Sequence, residues 1–365
     1  MDKNGGSWYA SRWFPFCSRP SSPPPAFAMW KTFCLVSILL PTLFVQSLHA
    51  YTKEEVVRRG RLLCGVSSGS PGFSSVDAQG KWTGLDVDVC RAVAVAVLGN
   101  AAKVEYLPLA EEDAFTALIS GTVDILSRHS TWTFSRDSGL PVHFAAVSYY
   151  DDQGLMVAAK LAAKTAAELK KVKVCAPVGS TYEAPLLEYL ERRRVEVKLV
   201  PFETVALAAK GFENEACDVL SQPRSQLYGL RLGLAAADSA VILEETIAKE
   251  PFAPVVRQGD DVWLNIVRWS LYALIAGEEQ GVTSRNAEEL RVSNVLAVRR
   301  LLGQEGGLGK GLGLSDDWAY QILKQIGNYG EVFDRNLGQA SPLRLSRGVN
   351  ALYNKGGLLY APPFR

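Results

Sequence analysis

The feature that most constrains the fold is an alternation of strand-like and helix-like apolar segments that occurs twice. In the first half, residues 62–66, 103–107 and 123–127 are typical of buried strands, and helical patterns lie between them. The same order restarts at residue 172 and continues to residue 220. Because parallel strands need a long crossover between them, this order predicts two α/β lobes with mainly parallel sheets.

Two extended segments are expected to connect these lobes, one within residues 149–158 and one within 252–256. The prediction is that residues 51–155 form lobe 1 and residues 156–255 form lobe 2. Residues 256–365 are mainly helical in pattern and would return to lobe 1. Ligands of open α/β sheets bind beyond the carboxyl ends of the strands, so a cleft that closes on a small molecule is expected.

Residues 1–50 have the pattern of a secretory signal peptide preceded by an unstructured N-terminal extension. After Lys31, an apolar run of about 14 residues leads to polar residues and the small Ala50. A membrane anchor is the alternative, but a spanning helix needs about 20 apolar residues. We expect cleavage near Ala50, export of the remainder, and a translation start that could be Met29.

Charge and composition argue against several classes of protein. The chain has 39 Lys and Arg against 38 Asp and Glu, a net charge of +1, which gives no support to a nucleic-acid or anionic-membrane surface. Outside the leader there are two histidines, and the cysteines are expected to pair. No metal site and no cofactor are therefore expected.

Four cysteines follow the leader, at comparable places in the two repeated segments. They are Cys64 and Cys90 in the first and Cys175 and Cys217 in the second. Export favours disulfides, and one bridge within each lobe is the simplest arrangement. Three connectivities are possible from the sequence, and four free buried thiols remain an alternative.

Two motifs are typical of enzymes, but neither has the context that the chemistry requires. Residues 65–69 match the G-x-S-x-G nucleophile elbow, yet Pro71 and Gly72 follow where a helix must begin. The glycines of residues 303–313 complete neither a dinucleotide-binding nor a phosphate-binding loop. Hydrolase and nucleotide-binding functions are therefore not expected.

Residues 126–136 carry the most informative polar pattern, Leu-Ser-Arg-His-Ser-Thr-Trp-Thr-Phe-Ser-Arg. They follow a strand, so hydroxyl, imidazole and guanidinium groups should meet at the edge of lobe 1. An arginine here can hold a carboxylate by two parallel hydrogen bonds. In lobe 2, Ser180 and Thr181 lie at a strand-to-helix turn whose free N–H groups favour an anion. Ordinary helix capping by Ser180 is the alternative.

Several segments resemble the general L-amino-acid-binding proteins of bacterial ABC importers. These are residues 64–67 (CGVS), 82–88 (WTGLDVD), 127–137, 249–263 (KEPFAPVVRQGDDVW) and 327–365. The resemblance runs from about Lys53 to Arg365. It implies a periplasmic solute-binding protein of the two-lobed type II fold, in which mainly parallel sheets are joined by two crossover hinge strands. Such a protein delivers an amino acid or a related carboxylate to an ABC permease.

The resemblance also implies roles for individual residues. Arg136 matches the arginine that pairs with the ligand α-carboxylate, and Thr131 matches the hydroxyl that supports it. The resemblance further implies that Ser180 and Thr181 of lobe 2 hold the ligand carboxylate. It also implies that Ser70 and Phe73 of lobe 1 line the pocket.

One position departs from the family pattern. Five residues after Asp218, where these proteins carry an aspartate for the ligand ammonium, this chain has Pro223 followed by Arg224. His129 stands where relatives have a small polar amide. Both Arg224 and His129 are taken as ligand-binding residues, and ordinary L-amino acids are expected to bind weakly. The alternative is that another acid supplies the missing charge: Asp151, Asp152 or Glu183.

The leading hypothesis is a non-catalytic, exported, monomeric receptor for a carboxylate-bearing small molecule. The first alternative is an enzyme on the same scaffold, because the family resembles periplasmic dehydratases that act on cyclohexadienyl acids, and His129 could serve as an acid or base. The second alternative is an extracellular sensor or interaction protein, although no transmembrane segment follows in this chain.

Overall fold

The computed structural model describes residues 51–67, 69–177 and 182–365. The predicted leader and the candidate residues Ser180 and Thr181 lie outside these ranges. The strands are β1 Leu62–Val66, β2 Ser75–Val76, β3 Trp82–Thr83, β4 Val104–Pro108, β5 Ile125–Leu126, β6 Val142–Phe144, β7 Tyr149–Ala158, β8 Lys171–Pro177, β9 Glu196–Phe202, β10 Val219–Pro223, β11 Ala240–Ile242, β12 Ala248–Phe252 and β13 Val255–Arg257.

Helices alternate with these strands and then dominate the last hundred residues. They are α1 Thr52–Arg59, α2 Leu85–Leu98, α3 Glu111–Ile119, α4 Phe134–Gly139, α5 Glu183–Glu191, α6 Val205–Glu213, α7 Arg224–Leu232, α8 Asp261–Glu279, α9 Leu296–Leu301, α10 Trp318–Ile326 and α11 Tyr329–Asn336. In the described part of the chain, no helix has the length and apolar character needed to cross a membrane.

The first sheet has the strand order β4-β1-β5-β13-β6. Strand β1 is parallel to β4 and β5, as the strand–helix alternation predicts. Strand β13 is antiparallel to both β5 and β6, because it enters the sheet on the return path of the chain. We refer to this sheet and its helices as lobe 1.

The second sheet has the order β11-β7-β10-β8-β9, and β12 also pairs with β7. Strand β8 is parallel to β9 and β10, again as the alternation predicts. Strand β7 is antiparallel to its three neighbours, β10, β11 and β12. We refer to this sheet and its helices as lobe 2. Both sheets are thus mixed, and their parallel pairs come from the repeated β-α-β-α-β segments.

The helices after residue 260 complete the hydrophobic core of lobe 1. Helix α2 is buried along nearly its whole length. It packs between the strands and helices α8 and α10, which explains why its residues are apolar apart from Asp86, Asp88 and Arg91. Trp318, Leu323 and Tyr329 are buried in the same cluster. The C-terminal extension therefore packs on lobe 1, in the arrangement expected from its amphipathic pattern.

Each half of the structure contains one disulfide. Cys64 in β1 is bonded to Cys90 in α2, with 6.3 Å between their Cα atoms. Cys175 in β8 is bonded to Cys217, just before β10, with a Cα separation of 5.5 Å. These are the two intralobe bridges expected from the sequence, and each ties a central strand to a neighbouring element.

Two antiparallel strands, β7 and β12, connect the lobes. Their register places Ala248 opposite Gln153 and Phe252 opposite Tyr149. The C-terminal extension reaches this hinge as well. The side chain of Asn350 accepts a hydrogen bond from the Tyr150 N–H at 2.7 Å and donates to the Tyr150 carbonyl at 2.9 Å.

Candidate functional site

The candidate site lies where loops of lobe 1 meet lobe 2 above the hinge. The loop after β1 is held against the start of α2, since the N–H groups of Leu85 and Asp86 donate to the carbonyls of Gly72 and Phe73 at 2.9 and 3.0 Å. Gly84 allows this approach, because it has φ 135° and a Cβ atom there would lie 1.9 Å from the Phe73 carbonyl oxygen. A larger residue at position 84 would displace the loop.

Phe73 forms the floor of the site rather than an open wall. Its ring is fully buried and makes edge contacts with His129, Tyr149 and Phe252, at centroid distances of 5.7, 5.3 and 5.6 Å. Ser70, earlier in the same loop, has a buried hydroxyl with no hydrogen-bond partner among the described residues. Phe73 thus lies beside the candidate residue His129, and the Ser70 hydroxyl is buried in the same loop.

Asp86 fixes the turn that follows β5. Its carboxylate accepts hydrogen bonds from the Ser127 hydroxyl at 3.2 Å and from the backbone N–H of His129. His129 adopts φ 47°, a conformation that is uncommon for any residue except glycine. Burial raises the pKa of Asp86 to about 7, against the opposing effects of these hydrogen bonds and of Arg128.

His129 lies between the two lobes. Its Nδ1 atom is 3.2 Å from Nε2 of Gln226, in helix α7 of lobe 2. Desolvation of the ring, with a smaller contribution from the positive charge of Arg128, lowers the pKa of His129 to about 3. The imidazole is therefore neutral at pH 7. Nδ1 accepts from the Gln226 amide, so Nε2 carries the proton, and this N–H is buried without a partner among the described residues.

Arg136 and Thr131 lie together at one end of the site. The Arg136 guanidinium donates to Glu111 at 3.0 Å and to the Thr131 carbonyl at 3.1 Å, and it lies over the Phe115 ring. The Thr131 hydroxyl donates to Glu250 at 2.5 Å. Glu111 is about half exposed, so a ligand carboxylate could replace it at little cost.

Arg224 is placed differently from its predicted role. Its Nε and Nη2 atoms donate to both carboxylate oxygens of Asp152, at 2.8 and 2.9 Å. It also donates to the backbone carbonyls of Leu243 and Glu245. The Arg224 guanidinium therefore fastens the start of α7 to the hinge strand β7, and none of its hydrogen bonds within the described residues is to another candidate residue.

Two of the three acids considered as replacements for the missing aspartate, Asp151 and Asp152, have other partners. Pro223 is buried at the end of β10, opposite Gln153. Asp152 is bound by Arg224, and Asp151 accepts hydrogen bonds from the Ser225 hydroxyl and N–H. Burial raises the pKa of Asp151 to about 7. The residue next to Pro223 in β10 is Gln222, whose side-chain amide carries no charge.

Sequence reasoning missed several polar residues of the site. Buried side-chain atoms without a hydrogen-bond partner among the described residues include Asp86 Oδ2, Arg128 Nε, Ser130 Oγ, Gln153 Oε1 and both polar atoms of the Gln222 amide. Such atoms are rare in folded proteins, and a cluster of them indicates a ligand site. Arg128 and Ser130 belong to the segment singled out above, and Gln222 precedes Pro223, so their positions were available in the sequence while their burial was not.

Known proteins resemble this chain in sequence and in fold. The family model of bacterial extracellular solute-binding proteins, family 3, matches residues 62–284. The chain is 44% identical to the putative amino-acid ABC transporter-binding protein YhdW of Escherichia coli K12, covering 92% of this chain and 99% of the relative. It is 46% identical to the general L-amino acid-binding periplasmic protein AapJ of Rhizobium johnstonii, covering 87% and 93%.

A solved structure gives the same result for the fold. It is described as an ABC transporter / periplasmic binding protein from Brucella ovis with glutathione bound. The TM-score is 0.84 and the identity 45%, over 87% of this chain and 100% of that chain. These similarities confirm the resemblance and the two-lobed fold class derived from the sequence.

Proposed function

Because the chain belongs to the bacterial extracellular solute-binding proteins of family 3, we propose that it is an exported receptor which closes on an amino acid or a related carboxylate. It would then deliver this ligand to the permease of an ABC importer. The relatives at 44 and 46% identity are described as amino-acid-binding proteins of this kind. The proposed location is the periplasm, reached by cleavage of the leader near Ala50.

The observation that carries the proposal is the cluster of unpartnered buried polar atoms between the lobes. Arg128, His129 and Ser130 contribute from lobe 1, and Gln153 and Gln222 from the hinge and lobe 2. A closed interface that leaves so many polar groups without partners is costly, and a polar ligand between the lobes would satisfy them.

Arg136 and Thr131 are the proposed site for a ligand carboxylate. In the structure the half-exposed Glu111 is paired with the Arg136 guanidinium. Replacement of the Glu111 carboxylate by a ligand carboxylate would keep the arginine paired. Ser180 and Thr181 would support the ligand from lobe 2, and Ser70 and Phe73 would line it from lobe 1. The proposed domain division is lobe 1 at 51–155, lobe 2 at 156–255 and a return at 256–365.

Binding without catalysis is the proposed activity. An acid or base near neutral pH needs a pKa close to the working pH, whereas the pKa of His129 is lowered to about 3. Its Nδ1 atom is also occupied by Gln226. We further propose that the receptor acts as a monomer.

Native mass spectrometry of the exported protein, purified without denaturation, tests this function. We expect a retained carboxylate of unchanged covalent structure, and thermal shifts with members of a panel of L-amino acids, dicarboxylates, opines and glutathione. The Arg136→Gln variant is the control and should lose both the retained ligand and the shifts. Conversion of a bound compound into a product of different mass would favour the dehydratase-like enzyme, and a panel without a single stabilising carboxylate would refute the receptor.

A further inference from the structure

Arg128 is a buried cation without a counter-ion. Arg128 is only 7% exposed and lies two residues after the end of β5, between the two lobes. Within residues 51–67, 69–177 and 182–365, no carboxylate lies within ion-pair distance of its guanidinium, and its Nε atom has no hydrogen-bond partner. The internal residues outside these ranges are Ser68, Val178, Gly179, Ser180 and Thr181, and none of them has an acidic side chain.

The charged and titratable groups that face Arg128 do not neutralise it. They are Glu111, Tyr182, Asp86 and Arg136. Glu111 is paired with Arg136, and Asp86 is bound to Ser127 and the N–H of His129, with its pKa raised to about 7. Burial raises the pKa of the Tyr182 phenol, which keeps it uncharged, and Arg136 adds a second positive charge.

A buried guanidinium without a partner is costly, and proteins retain one mainly where an anion completes it. The neighbouring atoms suit an anion as well. The Nε2–H of His129 and the hydroxyls of Ser70 and Ser130 are donors without partners among the described residues. Across the cleft, the neutral amide of Gln222 supplies a donor and an acceptor but no charge. The excess positive charge therefore lies on the lobe 1 side.

We propose that Arg128 binds a second anionic group of the ligand, so that the site selects molecules with two carboxylates, such as acidic amino acids and their peptides. This inference rests on the proposed function, in which Arg136 binds the first carboxylate. It identifies the substrate class by charge: a dianionic carboxylate satisfies both arginines, whereas a ligand with one carboxylate leaves one buried cation unpaired.

Calorimetry with pairs of ligands that differ by one charge tests this assignment. The pairs are L-glutamate with L-glutamine, and glutathione with its monoethyl ester at the glycine carboxylate. For the unmodified protein we expect the more acidic member of at least one pair to bind at least about tenfold more tightly, since a charge-assisted hydrogen bond is worth about that factor. In Arg128→Gln this ratio should fall to about twofold or less, because the neutral side chain no longer distinguishes the two members.

Two further variants isolate the role of Arg128. Arg136→Gln should weaken binding of both members of a pair and leave their ratio unchanged. Arg128→Lys keeps the charge and should keep a preference for the acid with lower affinity, because lysine lacks the planar fork of arginine. A thermal melt of each variant reports folding, and if Arg128→Gln does not fold, the ratios for the unmodified protein and Arg128→Lys decide.

The outcomes separate the two proposals. Equal affinity for both members of each pair, or an unchanged ratio in a folded Arg128→Gln variant, would overturn the role of Arg128. Tight binding of neutral amino acids with no binding of either acid would also overturn it, while the receptor function would stand. Failure of every carboxylate to bind would refute the receptor function itself.

Discussion

Replacing Asp86 by asparagine should remove a pH-dependent loss of stability that burial imposes on this protein. The Asp86 residue is 2% exposed and one of its carboxylate oxygens has no partner among the described residues. Burial raises its pKa from 3.8 to about 7. Between these two values the unfolded chain has released the proton and the folded protein still binds it, so folding becomes less favourable as the pH rises.

The magnitude follows from the shift. One pKa unit corresponds to about 1.4 kcal/mol, so this group should lower the free energy of unfolding by about 4 kcal/mol in total as the pH rises from well below 3.8 to well above 7. Between pH 5 and 8 the loss is about 3 kcal/mol, since the pH rises through two units before it reaches the folded-state pKa. Below about pH 3 both states are protonated and the group makes almost no contribution. Asparagine has no such proton, so the difference between the variant and the unmodified protein should grow by about 3 kcal/mol from pH 5 to 8.

Urea denaturation at pH 5, 6, 7 and 8 with intact disulfides measures this difference. Asp137→Asn is a matched control, because Asp137 is exposed on α4 and the substitution is the same. Its curve should remain parallel to that of the unmodified protein. If the Asp86→Asn curve is also parallel across this range, the carboxylate is not protonated in the folded protein and the reasoning from burial is refuted.

Two point substitutions test the site, and removal of either disulfide tests the scaffold. Arg136→Lys should weaken binding of the identified ligand by about 2 to 4 kcal/mol with little effect on the melting temperature, because lysine cannot form the two parallel hydrogen bonds; unchanged affinity by calorimetry would remove Arg136 from the site. Pro223→Asp should strengthen binding of ordinary L-amino acids by supplying the missing acceptor for their ammonium group, and an unchanged affinity would show that position 223 does not face the ligand. Loss of either disulfide, Cys64–Cys90 or Cys175–Cys217, should lower the free energy of unfolding by about 3 to 4 kcal/mol, according to the chain-entropy model for separations of 26 and 42 residues. Urea denaturation of the paired Cys→Ser variants measures this loss, and a loss near zero would contradict the model.

The order of strands and helices, the hinge strand β7 and the disulfide pairs were all predictable from the sequence. Apolar periodicity and segment length encode the first two, and the repeated positions of the cysteines made the observed pairing the simplest of three possible connectivities. The antiparallel neighbours of β7 were not predictable in this way, because three distant segments pair with it and the register depends on the folded chain. Local pattern carries no information about such long-range pairing.

The roles of two arginines depended on contacts that the sequence does not display. Arg224 is adjacent to Pro223 and was expected near the ligand, but the start of α7 directs its side chain to Asp152, seventy-two residues earlier. Arg128 could not be singled out from the sequence, since an arginine in a polar segment is ordinarily solvated. Its burial, with 7% of the residue exposed, depends on the packing of the folded chain.

The bonds between Asn350 and Tyr150 have a mechanical consequence for opening and closing. They hold the first residues of β7 to lobe 1, while from Gln153 onward β7 is paired with β10 of lobe 2. The strand therefore passes from lobe 1 to lobe 2 between Tyr150, which is held by Asn350, and Asp151 and Asp152, which are held by Ser225 and Arg224 of α7. Two hydrogen-bonded strands side by side bend out of their common plane more readily than within it. We therefore expect the lobes to rotate about an axis that lies in the plane of β7 and β12. The C-terminal extension thus holds the lobe 1 end of this hinge strand in place, although it lies outside the cleft.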